Sequence, residues 1–139
     1  MSRGLRNNNP GNIRLSGVRY LGEVQPSTDP AFKQFKTIVW GYRAMFVLLR
    51  AYEVRHGLRT LRGMIARYAP PGENDTSAYE NAVSVRARFA PERILSTLDG
   101  SVMIPLVAAM SRVENGVDAV EADVRAGWEL FAGTSMAEK

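Results

Sequence analysis

The sequence predicts one α+β domain, mainly α, with about five helices and a small N-terminal antiparallel β element. Three observations carry that expectation. The chain has 139 residues, an ordinary size for one core, and no linker-like composition divides it. Short apolar pieces alternate with Gly, Pro, Ser and Asp between Asn12 and Phe35, whereas beyond Ile38 apolar residues recur every three or four positions. The domain is expected over 1–132, followed by a small polar tail over 133–139 that should be mobile.

The early alternation, in Ile13-Arg14-Leu15, Val18-Arg19-Tyr20-Leu21 and Phe32-Lys33-Gln34-Phe35, reads as two or three short strands. Ser16-Gly17 suits the first turn, and Gln25-Pro26-Ser27-Thr28-Asp29-Pro30 a longer loop. Trp40, Ala44, Val47, Leu48, Ala51 and Tyr52 then share one side of a long helix that Gly57 stops after His56. Thr60 can cap a second helix carrying Leu61, Met64, Ile65 and Tyr68, which Pro70-Pro71 ends because proline lacks the amide the helix needs.

Asn74-Asp75-Thr76-Ser77 opens a third helix, with Ser77 and Glu80 at capping-box spacing and Asp75 as an alternative cap. A fourth runs from about Ser101 to Asn115, with Pro105 in its first turn, an inward face of Ile104, Val107, Ala108 and Met110, and Gly116 as its stop. Asp118 with Glu121 can cap the last helix, which presents Val120, Val124, Trp128 and Phe131.

A net charge of +4, from 18 Lys+Arg against 14 Asp+Glu, favours anionic partners such as nucleic acid, anionic lipid or cell-wall polymer. The basic residues are spread along the chain without interleaved aromatics, which argues against specific nucleic-acid binding. No apolar run reaches membrane-spanning length, and Met1 to Asn9 carries no apolar stretch of secretory type, so synthesis in a bacterial cytoplasm without a signal peptide is expected. With no Cys and one His, thiolate metal sites, Cys nucleophiles and multi-histidine zinc sites drop out, and no cofactor is expected. Carboxylate chemistry is the main enzymatic option left. His56 fits a helix C-terminus, Glu53 a solvated helix face, and Phe32, Phe35, Trp40 and Phe46 the core.

Two segments are unusually polar. Arg6-Asn7-Asn8-Asn9-Pro10-Gly11-Asn12-Ile13-Arg14 can hold a tight backbone corner, as Asn and Gly do, or present amides to sugar groups. Tyr68-Ala69-Pro70-Pro71-Gly72-Glu73-Asn74-Asp75-Thr76-Ser77-Ala78-Tyr79 carries two acids into a helix start, where an acid is ordinarily a cap.

Taken in order, Asn7-Asn8-Asn9-Pro10-Gly11-Asn12-Ile13-Arg14, Asp29-x-x-Phe32-x-x-Phe35, Gly41-Tyr42-Arg43-Ala44 and Ala69-Pro70-Pro71-x-Glu73-Asn74-Asp75-Thr76-x-x-Tyr79 resemble phage virion-associated lytic proteins. These are relatives of the lytic structural protein of double-stranded RNA phages. Ser111-Arg112-Val113-Glu114-Asn115-Gly116 extends the resemblance weakly beyond the first two thirds of the chain. The Asn-Asn-x-x-Gly-x-Ile pattern is also similar to bacterial glucosaminidases, whose acid lies on a helix upstream of the Asn-Asn pair; only six residues precede Asn7 here.

The resemblance implies a lysozyme-like fold and cleavage of the peptidoglycan glycan at the cell wall, by a lysozyme or lytic transglycosylase reaction. It makes Glu73 the first candidate for the general acid and Glu23 or Asp29 its partner. Asn8, Asn9, Asn12, Tyr68, Asn74, Thr76 and Tyr79 would line the substrate cleft. Peptidoglycan is the implied partner, with other virion proteins as further ones. A non-catalytic virion or wall-binding protein is the alternative, and a stem-peptide endopeptidase a weaker one.

Overall fold

A computed structural model describes residues 1–134. Among these residues the elements follow as α1 (Arg3–Arg6), β1 (Glu23–Val24), β2 (Gln34–Phe35), α2 (Ile38–His56), α3 (Leu61–Tyr68), α4 (Thr76–Ala87), α5 (Gly100–Asn115) and α6 (Glu121–Gly133). The architecture is mainly α with one small antiparallel sheet, as the periodicities require. The added element is α1, a single turn whose Leu5 amide is capped by the Ser2 hydroxyl.

Local chemistry sets most helix ends. Gly57 and Gly116 take φ of 65° and 73° after α2 and α5, a conformation glycine adopts without a Cβ penalty. Thr60 accepts from the Gly63 amide at 3.1 Å to start α3, and Asp75 accepts from Ala78 at 3.1 Å to start α4. Asp75 is thus the cap of α4, and Glu80 pairs with Arg62 at 2.7 Å instead of closing a box with Ser77. Asp118 likewise pairs with Arg86, and α6 starts after Val120 without a side-chain cap. Pro105 falls in the second turn of α5, where it has no amide to donate to the carbonyl of the exposed Ser101.

The core forms where α2 lies along α6 and where α4 and α5 pack together. Tyr42, Met45, Phe46 and Leu49 of α2 are buried against Val124 and Phe131 of α6 and Met103, Leu106 and Met110 of α5. Each such side chain contributes on the order of 1.5–3 kcal/mol by leaving water. Phe46, Trp128 and Phe131 pack with centroids 5.1–6.0 Å apart, Phe46 meeting Trp128 edge to face as aromatic rings favour and the other pairs tilted. On α5 the inward face is Met103, Leu106, Val107 and Met110; Ile104 and Ala108 lie at its edge. Glu53 is no free surface acid: it accepts from the Thr97 hydroxyl and amide and so ties α2 to the segment before α5.

The N-terminal β region is smaller than the alternation predicts. Only Glu23–Val24 and Gln34–Phe35 form a ladder, with a single bridge joining Arg14 to Phe32. Phe32 stays half-buried between Arg3 and Arg14, while Phe35 is buried. At the other end, Gly133 completes α6 and Thr134 accepts from Arg43 at 3.0 Å, and 135–139 of the expected tail lie outside the described residues. No helix among the described residues is long and apolar enough to cross a membrane.

Candidate active site

Backbone demand explains most of the Asn-rich turn. Asn9 is fully buried, donating to the carbonyls of Ile13 and Lys33 at 2.9 Å each and accepting from the Ile13 amide at 2.9 Å. Asn8, at φ 53°, donates to the Phe35 carbonyl at 3.1 Å. These two side chains replace ladder bonds that a wider sheet would make, and neither is among the residues that line the groove beside Glu114.

Asn12 differs. At φ 49° it directs its amide to Glu114 of α5, donating to Oε1 at 2.9 Å. Tyr79 of α4 donates to the other oxygen, Oε2, at 2.8 Å. Glu114 extends the apolar stripe of α5, one turn beyond Met110 and two beyond Val107, so the helix that builds the core also delivers a half-buried carboxyl. The end of α5 is locked to the N-terminal turn beside it: Asn115 donates to the Pro10 carbonyl at 2.8 Å and accepts from the Ser2 hydroxyl at 2.7 Å.

Burial raises the Glu114 pKa above the ordinary carboxylate value, against the hydrogen bonds from Asn12 and Tyr79 and the charge of Arg14. Burial likewise keeps Tyr68 and Tyr79 protonated well above the usual phenol range. Tyr79 is therefore a donor at any working pH. Tyr68 donates to the Gly11 carbonyl and stands 6.5 Å from Tyr79, ring to ring.

Glu114 opens on a groove of about 330 Å³ whose lining includes Asn12, Tyr52, Tyr68, Pro70, Glu73 and Asn74. Glu73 shares this groove, but on an exposed rim, outside the sheltered surroundings expected for the acid. Thr76 is turned away from it, donating to the Ala69 carbonyl at 2.6 Å and closing the Pro-rich loop. Tyr79 is buried and does not line the groove; it reaches the site through the bond its hydroxyl donates to Glu114.

The other two expected carboxylates are held elsewhere. Glu23 is buried and accepts from Lys33 Nζ at 3.0 and 3.2 Å, from the Tyr20 amide at 3.1 Å and from Gln25. Asp29 receives a bidentate bond from Arg3 at 2.7 Å together with the Asn7 side chain and the Ala31 and Phe32 amides. Arg3 above all holds the Asp29 carboxyl far below its usual range. Both acids organise the β region and neither lines the groove.

A larger groove, about 760 Å³, lies along α5 and α6 and includes Ile104, Pro105, Arg112 and Arg125. Its acids, Asp118 and Glu121, are exposed and paired with arginines, so it offers no sheltered proton donor. Sequence reasoning overlooked Glu114, although the quoted Ser111–Gly116 segment contains it. The available signal was a lone acid on the apolar stripe of a helix.

No protein-family model matches the sequence. The chain is 39% identical over 132 residues to Protein P5 of Pseudoalteromonas phage PM2, an alignment spanning 92% of this chain and 81% of that protein. At that identity and over that share of both chains, this likeness shows that the chain belongs to the family of the phage PM2 Protein P5.

Proposed function

We propose that the chain is a phage or prophage muralytic protein of lysozyme-like type that cleaves the glycan strand of peptidoglycan, with Glu114 as the general acid. The observation that carries this reading is the half-buried Glu114 carboxyl, raised in pKa and opening on a groove walled by tyrosines. A glycosidic oxygen needs a proton as its C1–O bond breaks, and a carboxyl still protonated above its ordinary range can supply one. The electron pair stays on the leaving oxygen, and the positive centre at C1 calls for a nearby negative or dipolar group. Glu73, on the rim of the same groove, is the protein's candidate for that role, and Asn12, Tyr68 and Asn74 are candidates for holding the sugars. Membership in a phage protein family supports delivery with the virion and contact with other virion proteins.

The second reading is a virion structural or wall-binding protein without catalysis. It is favoured by one detail: both Glu114 oxygens already accept hydrogen bonds, as they would in a purely structural lock.

Insoluble peptidoglycan separates the two. Wild-type protein is expected to clear its turbidity and release new sugar ends, Glu114→Gln to lose at least about a hundredfold in rate while still sedimenting with the wall, and Glu73→Gln to lose less. Sedimentation without sugar ends from wild type favours the structural reading. Full activity in a folded Glu114→Gln protein removes Glu114 as the acid.

A further inference from the structure

Several arginines of the described surface stand against carboxylates: Arg3 on Asp29, Arg62 on Glu80 and Glu92, Arg125 on Glu121. Arg14 and Arg67 do not. Neither is within ion-pair distance of a carboxylate among the described residues, and each lies over an aromatic ring instead. The Arg14 guanidinium is 5.2 Å from the Phe32 centroid and that of Arg67 is 5.4 Å from Tyr52. All four of these residues line the groove that contains Glu114. Both arginines are exposed, and Arg14 is near enough to Glu114 to act on its carboxyl through its charge.

Stacking occupies the flat face of a guanidinium and leaves its in-plane N–H groups free. A stacked arginine is therefore held in place with its donors ready for a planar, bidentate acceptor such as a carboxylate. Two such groups, with no protein carboxylate paired to them, make the groove complementary to an anionic ligand.

Resting on the reading of this groove as a glycan site, we propose that Arg14 and Arg67 form a carboxylate clamp that selects amino-sugar polymers bearing an acidic side group beside the ring over neutral ones. The acid can come from the sugar's own ether-linked side group or from a peptide attached to it. Both present the same chemistry to the arginines.

Binding to the full chain is measured for four probes: peptide-free wall glycan with free sugar carboxyls, peptide-bearing wall glycan, the same material with its carboxyls amidated, and a neutral chitin oligomer. Wild type is expected to prefer an acid-bearing probe over its amidated form by about tenfold or more, the scale of one charge-assisted hydrogen bond. Whichever acid-bearing probe shows the preference identifies the source of the carboxylate. Arg14→Gln and Arg67→Gln should lose the preference while binding the amidated probe as wild type does. Arg93→Gln, which removes a guanidinium stacked 4.4 Å from Phe89 outside the groove, should keep it. Equal binding of acidic and amidated glycan by wild type overturns the clamp, as does equal weakening of both probes in the arginine variants. Those results leave glycan cleavage by Glu114 standing, whereas failure to bind any of the four probes sinks both.

Discussion

Burial and hydrogen bonding pull the Glu114 carboxyl in opposite directions. Desolvation favours its neutral form, the donors Asn12 and Tyr79 favour the carboxylate, and burial dominates. Removing one donor shifts the balance further, so Tyr79→Phe is expected to move the alkaline limb of the rate profile of the proposed cleavage to higher pH while lowering the maximum rate. The same shift has a stability sign. A carboxyl with a raised folded pKa binds its proton more tightly in the native state, so its contribution is fully present below the unfolded value near 4.5 and is lost as pH rises through the raised one. Thermal melts across that window should show Glu114→Gln, which stays neutral, gaining stability relative to wild type as pH increases. Glu23 behaves differently because its partner is fully buried: the Lys33 and Glu23 side chains are 0% and 1% exposed. Glu23→Gln leaves Lys33 charged without its counterion and is expected to cost about 3–5 kcal/mol in urea denaturation. The protein that remains folded should keep its cleavage rate, which distinguishes a structural acid from a catalytic one.

Packing between α2 and α6 depends on one absent side chain. A Cβ at Gly127 would stand 2.6 Å from the Tyr42 Cβ and 3.0 Å from the Arg43 amide nitrogen. Gly127→Ala therefore should destabilise the protein by about 1–3 kcal/mol in chemical denaturation, despite the better helix propensity of alanine. The five longer helices were legible because their signals are local: the stops at Gly57 and Gly116, the cap at Thr60, the break at Pro70-Pro71. Where a boundary residue had a stronger tertiary partner, as Asp118 has in Arg86, local reasoning misplaced the cap. The expected strands around Ile13 and Tyr20 failed for a related reason. Their amides go to the side chains of Asn9 and Glu23, bonds between positions that no alternation pattern encodes. At the candidate site, the Asn-rich turn and the Pro-rich loop were legible as unusual segments, and both border the groove through Asn12, Pro70, Glu73 and Asn74. Glu114 was hidden because its partner Asn12 is 102 positions away and its own helix reads as core.

At the scale of the whole chain, the groove is not the property of one element. The N-terminal turn, α2, α3, the Pro-rich loop and α5 each contribute to its wall, and the core joins them through α2 and α6. Unfolding is expected to be a single cooperative transition. Fluorescence of Trp40 on α2 and Trp128 on α6 should coincide with far-ultraviolet circular dichroism at every denaturant concentration; separated midpoints would mean that part of the groove melts alone. The clasp between Ser2 and Asn115 spans 113 positions of sequence. On the ribosome, the turn that receives α5 leaves the exit tunnel long before the helix it awaits, and closing so distant a loop is slow compared with forming neighbouring contacts. A half-translated chain thus has the receiving turn without the Glu114 carboxyl, and the groove is complete only once α5 has been made.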